Sequence, residues 1–297
     1  MTSDSTSPFY RLPESDMRDI CRRHVESLEM WLRRIIEQRL ILTYGKDYLF
    51  QKGDDGQHFL NNDERRTVTW RLKESADENL KAINATEFSH LKKILGNPEI
   101  YLKALKEVFD PFFGDGFEIL KFQLSRTHEA RTALSHAKPI SVRLAEQTIC
   151  YANDIIQAIK EHYGRIGMAS DYNAPTITRL SDSFGNVYEA SDIIRNNTGN
   201  GIVNRHDEKK SLLRPGDTLA IEAEVDPTFK SDSYTIDWIV PNGTTVHGPR
   251  LVLKIEERDV AVSYAIGCTV KSDKAWHRQG ALDDLVTIVY KVLPPVE

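Results

Sequence analysis

The sequence has little of what secreted, membrane-spanning or metal-binding chains are built from. Cysteine occurs three times in 297 residues, and Cys21, Cys150 and Cys268 are too far apart, and odd in number, to predict a disulfide framework or a metal site. No run of about 18 apolar residues is present, and the polar first residues do not form a secretory signal. We therefore expect a cytoplasmic protein that has no membrane contact, no metal and no cofactor.

An excess of basic charge is also missing. The formal net charge is −5, but up to residue 168 the 25 Lys and Arg residues balance 25 Asp and Glu residues. The remaining residues therefore carry the whole negative charge. The first 168 residues are the better candidate for contact with a polyanion, although a neutral segment is not in itself a signal for such binding.

Apolar residues recur with the three-four spacing of helices in the first half of the chain. Glycines at positions 45 and 164 are expected to end the first and last of these helices, 52–62 is expected to be a loop, and 111–116 a turn. The first half is thus predicted to be an all-α bundle, with helices at about 16–44, 63–83, 87–95, 97–109, 117–133 and 141–163.

From residue 176 onward the apolar residues alternate, which is typical of antiparallel strands. The segment 196–210 is polar and rich in glycine and is expected to be an exposed loop. We predict two domains, a helical one at 15–168 and an antiparallel β-sandwich at 175–297 with Trp238 in its core. The expected strands cover about 176–180, 187–190, 219–225, 234–240, 251–255, 260–270 and 286–292.

The segment from Arg131 to His136 carries the chemistry in the helical half. Arginine offers a planar fork that binds two phosphate oxygens, and histidine can take up or release a proton near neutral pH. Both residues lie just before the last helix, on a packed core that would hold them in place. A second pair with similar spacing, Arg18 and His24, lies inside the first helix and is set aside. Other nearby residues could assist, the hydroxyl or cationic side chains of Thr132, Ser135, Arg126, His128 and Lys138, by contacting a phosphate backbone.

Structural roles are open for the same residues. Arg131 can pair with Glu129 or with a neighbouring helix, and His136 can cap a helix or lie in solvent. Arg126, His128 and Lys138 can simply be solvated.

The helical half resembles the HEPN superfamily (higher eukaryote and prokaryote nucleotide-binding). It looks closest to the branch named after a yeast RNA-quality-control endoribonuclease. The resemblance covers about 15–165 and is carried by Tyr44-Gly45-Lys46-Asp47, by His90-Leu91-Lys92-Lys93-Ile94, and above all by Arg131 and His136 before the last helix. It implies an all-α bundle and a metal-independent endoribonuclease that cleaves RNA by attack of the 2′-hydroxyl, as toxins or antiviral effectors do.

The resemblance also implies a homodimer through the helical domain. One arginine and one histidine make half of such a site, so two copies facing one cleft would complete it. The family usually has Asn, Asp or His directly after the arginine, where this chain has Thr132. A second hypothesis is therefore a non-catalytic dimerisation or nucleotide-binding module.

The β half resembles immunoglobulin-like sandwiches in general and is expected to act as a sensor or docking domain for an unknown protein or small-molecule ligand. Trp276-His277-Arg278 precedes the last strand, where it can bind a ligand or pack against the domain. Asp283 and Asp284 follow and are expected to form a solvated turn rather than a metal pair.

Overall fold

Two compact units make up the chain, Met1–Ile166 and Gly167–Glu297. A computed structural model describes residues 8–74, 81–114, 116–190, 192–196, 199–205 and 209–295. The first unit is helical and the second consists mainly of strands, so the predicted order of a helical half followed by a β half is confirmed. In the parts of the chain that the structure describes, no helix is both long and apolar enough to cross a membrane.

The helical unit contains two long helices, α1 and α7, and several shorter ones. One stretch between them has π-helical geometry, and short 3-10 turns lie at Pro8–Arg11, Tyr48–Phe50 and Ala82–Ala85. The bounds are α1 Glu14–Tyr44, α2 Asn62–Glu74, α3 Phe88–Leu95, α4 Pro98–Ile100, the π-helical turn Tyr101–Leu105, α5 Lys106–Phe113, α6 Gly116–Ser135 and α7 Val142–Arg165.

The core of this unit lies between α1, α6 and α7. The apolar face predicted for α1 is fully buried at Leu28, Trp31 and Ile35. Burying such a face is the main source of stability for a helix in a globular protein. The stripe predicted for α7 is buried in the same core, at Ala145, Thr148, Ala152, Ile155, Ile156, Ile159 and Tyr163.

The helices predicted for 97–109 and 141–163 end too early. Residues 111–116 were expected to be a turn, yet Pro111 lies inside α5, which ends only at Phe113. Proline has no N–H and leaves the carbonyl four residues earlier without its helical partner. Here the guanidinium of Arg165 donates to that carbonyl, on Glu107, at 3.2 Å. Arg165 is the last residue of the helix that was predicted to end at Gly164.

The helix predicted for 63–83, in contrast, is too long. The observed helix α2 ends at Glu74, and residues 75–80 of the prediction lie outside the described part of the chain. Lys81 then has extended backbone, with φ −68° and ψ 138°, and a separate 3-10 turn follows. An extended residue at this point excludes one continuous helix.

The second unit begins with a short helix, α8, at Ala169–Tyr172. The strands that follow form two sheets, in the orders β2-β1-β6-β9 and β3-β4-β11-β10-β7-β8, with β5 beside β11. Their bounds are β1 Ile177–Asp182, β2 Val187–Glu189, β3 Ile194–Arg195, β4 Gly201–Asn204, β5 Leu212–Leu213, β6 Thr218–Val225, β7 Tyr234–Ile239, β8 Thr245–His247, β9 Arg250–Lys254, β10 Ala261–Ser272 and β11 Asp284–Val292.

One hydrophobic core is shared by both sheets, as in a sandwich. Trp238 lies in it with no exposed surface, together with Leu219 and Ile221 from one sheet and Ile266 and Ile288 from the other. The inward-facing residues are those that alternate along the sequence, so the predicted two-sheet packing is supported by both period and burial.

The sequence predicts a wholly antiparallel sandwich, and this part of the prediction is wrong. Strands β4 and β5 both run parallel to β11, and β4 lies within 196–210, which was predicted to be a loop. Gly201 explains part of this result, because a Cβ there would lie 2.5 Å from Ile193 and 3.0 Å from Val286. The glycine that suggested a loop instead allows two strands and a neighbouring segment to pack closely.

Candidate functional site

The end of α6 carries the arginine and histidine that the sequence singles out. After Ser135 the chain closes the helix with a left-handed residue, Ala137, whose φ is 52°. The amide of Lys138 donates to the carbonyl of Ala133 at 2.9 Å, as in a Schellman motif. His136 occupies the C-cap position, so its backbone is fixed on both sides.

Five of the seven predicted site residues lie on one face of α6. With 3.6 residues per turn, Arg131, Ser135, His128, Thr132 and His136 follow one another, in that angular order, around an arc of roughly 140°. The two edges of this arc differ in burial. Arg131, at the edge nearest the core, is half-buried, while His136 at the opposite edge is exposed.

Arg131 contacts a neighbouring helix rather than Glu129. Its Nε lies 3.5 Å from Oε1 of Glu29 on α1, and 37% of its side chain is exposed. The other carboxylate oxygen of Glu29 accepts a shorter bond, 2.9 Å, from Arg33. Glu29 is therefore already paired with another arginine, and the longer contact leaves the Arg131 guanidinium available to another anion. The sequence marks the Glu29–Arg33 pair by its four-residue spacing, but not the contact to Arg131.

His128 lies one turn before Arg131 and is half-buried. Its ring stacks on Phe88 of α3, with centroids 5.8 Å apart and planes 14° from parallel. Its Nδ1 is enclosed and has no hydrogen-bond partner among the described residues. Burial lowers the pKa of His128, and the positive charges of Lys92 and Arg131 lower it further, against the opposing effect of Glu29. The ring is neutral at pH 7.

The turn that carries His136 is held by α1. One guanidinium nitrogen of Arg18 donates to the carbonyl of Leu134 at 3.2 Å, and the other donates to the carbonyl of Lys138. The bonds fall two residues on either side of His136. Arg18 was set aside in the sequence because it lies inside the first helix, yet it fixes the position of the histidine in the other pair.

The two hydroxyl groups near Arg131 are used by the helix itself. Thr132 donates its hydroxyl to the carbonyl of His128 at 2.9 Å, and Ser135 donates to the carbonyl of Arg131 at 3.0 Å. Such bonds to the carbonyl four residues earlier are common for Ser and Thr within helices.

The remaining two predicted residues lie away from this face. Arg126 forms an ion pair with Glu129 and donates to Oε1 of Gln147 on α7 at 2.8 Å. It ties two helices together. Lys138 lies beyond the end of α6 with an exposed side chain.

The β unit contains a buried charge cluster where a solvated turn was expected. The side chains of Asp283 and Asp284 have no exposed surface. Asp284 binds Arg195 through both carboxylate oxygens and Arg278 at 3.0 Å, and it accepts from the amide of Ile177 at 2.7 Å. The solvated-turn prediction is wrong because these arginines bring their own charges into the interior.

The aromatic and basic loop before β11 belongs partly to this cluster. His277 contacts Asp283 at 3.1 Å through Nδ1, and Arg278 contacts Asp284. Trp276 is 37% exposed, and Nζ of Lys274 lies 4.6 Å from its ring centroid. His277 and Arg278 thus stabilise the fold of the β unit, and Trp276 is the loop residue that reaches the surface.

Within the described ranges, no group of three or more His, Cys, Asp and Glu side chains is arranged to hold a metal ion. Comparison of the chain with protein-family models, with curated proteins and with solved structures finds no match. The residues of α6 and the contacts around them are therefore the basis for any proposal about function.

Proposed function

We propose that the helical unit is a metal-independent endoribonuclease of HEPN type. The observation that carries this proposal is the face of α6, which presents a partly exposed arginine and an exposed histidine on rigid backbone. RNA can be cleaved by such groups when the 2′-oxygen attacks the neighbouring phosphorus and the bond to the 5′-oxygen breaks. A cyclic phosphate and a free 5′-hydroxyl result.

Arg131 would bind the phosphate. Its charge is permanent, its fork matches two phosphate oxygens, and its contact to Glu29 is long. As negative charge builds up on the phosphorane, Arg131 would stabilise it. His136 would donate the proton that the leaving 5′-oxygen needs. Ser135, Thr132, Arg126, His128 and Lys138 remain predictions as auxiliary RNA contacts.

The β unit would serve as an immunoglobulin-like sensor or docking domain, and the whole chain as a toxin or antiviral effector. The helical units are proposed to form a homodimer, as the resemblance implies. The apolar stripe of α7 is buried within its own unit, so pairing would use another surface.

Cleavage of single-stranded and structured RNA by the full chain, in the presence of a chelator, tests the proposal. We expect His136→Ala and Arg131→Ala each to reduce kcat/KM by about 10²-fold or more, as loss of a proton donor or a phosphate clamp does. Matched controls are His247→Ala, at an exposed histidine of the β unit, and Arg66→Ala, at an exposed arginine of α2.

Cyclic phosphate ends on the products would exclude a contaminating metal-dependent nuclease. If both substitutions leave cleavage unchanged, the assignment is wrong.

A non-catalytic RNA-binding or nucleotide-binding module is the second candidate. Thr132 favours it, because the family usually has Asn, Asp or His at this position and the Thr132 hydroxyl is bound to the backbone of its own helix. This candidate predicts RNA bound without turnover and one stable protein partner of the β unit. Growth arrest on expression of the wild type, but not of His136→Ala, would favour the enzyme.

A further inference from the structure

The proposed reaction needs one more group than Arg131 and His136 supply. A base must remove the proton of the 2′-hydroxyl while an acid protonates the 5′-oxygen, and one histidine cannot be neutral and protonated in the same step. A second copy of the chain is one source of the missing group. The face of α6 offers another within the same chain.

We propose that His128 is the general base of this site and that Arg131 and Lys92 hold the phosphate between His128 and His136. The inference rests on the proposed ribonuclease function and completes its site within one chain.

The first support is the arrangement of two helices. On α6, His128 and Arg131 are three residues apart and share a face. On α3, Phe88 and Lys92 are four residues apart and share the face that meets them. Phe88 stacks on His128, and the charge of Lys92 acts on the same ring. One neutral ring thus lies beside two cations from different helices.

The second support is that Lys92 is not used elsewhere. It is half-buried, and within the described part of the chain it has no acidic partner at ion-pair distance. Its neighbour Lys93, in contrast, binds Glu64 at 2.7 Å. A partly buried lysine without a counter-ion, next to an arginine with only a long contact, favours an anion such as phosphate.

The third support is the state of the His128 ring. For Nε2 to accept a proton, the neutral ring must carry its hydrogen on Nδ1, which is enclosed and has no partner among the described residues. Burial and the two nearby cations favour the neutral ring, so the proposed base is the tautomer with its hydrogen on Nδ1 and its lone pair on Nε2. The charged groups that act on it come from each helix around it: Lys92 from α3, Arg131 from α6 and Glu29 from α1.

His128 and His136 are eight residues apart, about 12 Å along the helix axis, and Arg131 lies between them along that axis. Around the helix, His128 lies between Arg131 and His136. In the proposed step Nε2 of His128 accepts the 2′-hydroxyl proton, the O2′–P bond forms, and the P–O5′ bond breaks. The proton of His136 passes to O5′. Exchange with water then returns both rings to their starting states.

His128→Gln tests the role of the ring directly. Loss of a general base should lower kcat/KM by roughly 10²–10⁴-fold, while binding of uncleaved RNA should change much less. Because the ring also packs on Phe88, the thermal unfolding of the variant must be compared with that of the wild type.

Two variants that keep His128 in place test the same role without this risk. Removing a nearby positive charge raises the pKa of a histidine, and removing a negative charge lowers it. Lys92→Gln should therefore move the acidic limb of the kcat/KM profile to higher pH, and Glu29→Gln should move it to lower pH. Lys106→Gln, at an exposed lysine of α5, should leave it in place.

Mixed chains complete the test. If each chain holds a whole site, a mixture of Arg131→Ala and His136→Ala chains stays inactive after subunit exchange. Restored cleavage would show a cleft shared by two copies and would overturn the single-chain site.

A wild type that does not cleave RNA would refute the ribonuclease proposal itself. Full activity of His128→Gln, with Arg131→Ala and His136→Ala inactive, would refute only the role of His128.

Discussion

Ala137 is the residue that most constrains the candidate site. It is the one residue other than glycine with positive φ among those that the structure describes, and it follows His136 directly. A left-handed conformation costs an L-residue roughly 1–2 kcal/mol. Arg18 binds the carbonyls on both sides of this turn, which is how the strained backbone is retained beside the proposed proton donor.

Ala137→Gly should stabilise the helical unit by about 1 kcal/mol, because glycine adopts this conformation without the steric cost and loses part of the gain to its freer unfolded chain. Urea unfolding with an unchanged m-value measures it. Ala133→Gly, inside α6, is the matched control and should destabilise the unit by about 0.5–1 kcal/mol. Destabilisation by Ala137→Gly would mean that residue 137 does not have positive φ in solution.

At this scale the sequence could predict which residue types matter but not their partners. Arg131 and His136 stand out because of their chemistry and their place before a periodic helix. The contact of Arg131 with Glu29 spans about a hundred residues of chain, and the stacking of His128 on Phe88 depends on how α3 meets α6. Neither follows from local spacing.

In the strands of the β unit, too, the sequence predicts some features and misses others. Alternation correctly marks the inward residues of β6 and β11. It fails at the start of β10, where Val262 is 70% exposed, because the pairing with β11 shifts register between Ala261 and Tyr264. Such an irregularity turns the following residues to the opposite face. The buried contacts at the ends of β1, β3 and β11 were missed because they form only after these strands meet. Arg195 of β3 then pairs with Asp284 of β11, which also accepts from the Ile177 amide of β1.

Asp284→Asn should therefore destabilise the β unit strongly. The substitution keeps the shape of the side chain but leaves Arg195 and Arg278 without the charge that they share, and breaking a buried pair in this way costs about 3–5 kcal/mol. Urea unfolding measures the loss. Hydrogen exchange of the Ile177 amide, which donates to Asp284, locates it.

Asp237→Asn is the control, because Asp237 pairs with His247 at the surface and such a pair contributes at most about 1 kcal/mol. Equal losses in the two variants would contradict a structural role for the buried cluster.

For the whole molecule, buried titratable groups differ between the two units. In the helical unit, burial lowers the pKa of His90, His128 and His162. In the β unit, hydrogen bonds from Ser272, His277 and Arg278 outweigh burial and lower the pKa of Asp283. Both kinds of group make the folded state less able to bind protons than the unfolded chain, but they do so in different ranges of pH.

The helical unit should therefore lose stability first as the pH falls. Below the ordinary histidine pKa of about 6.5, the unfolded chain takes up protons more readily than these three rings do in the folded state, so the free energy of unfolding decreases from pH 7 to pH 5. The contribution of Asp283 to the stability of the β unit persists until the pH falls below about 4, the ordinary pKa of an aspartate. Unfolding followed by circular dichroism at the helical band, at a series of pH values, measures the first effect.

His162→Gln should flatten that pH dependence, because one of the three rings is removed while the other two keep their surroundings. A helical unit whose unfolding free energy stays constant between pH 7 and pH 5 would mean that these histidines titrate in the folded state as they do in the unfolded chain. A lowered pKa of His128 would then be excluded as well.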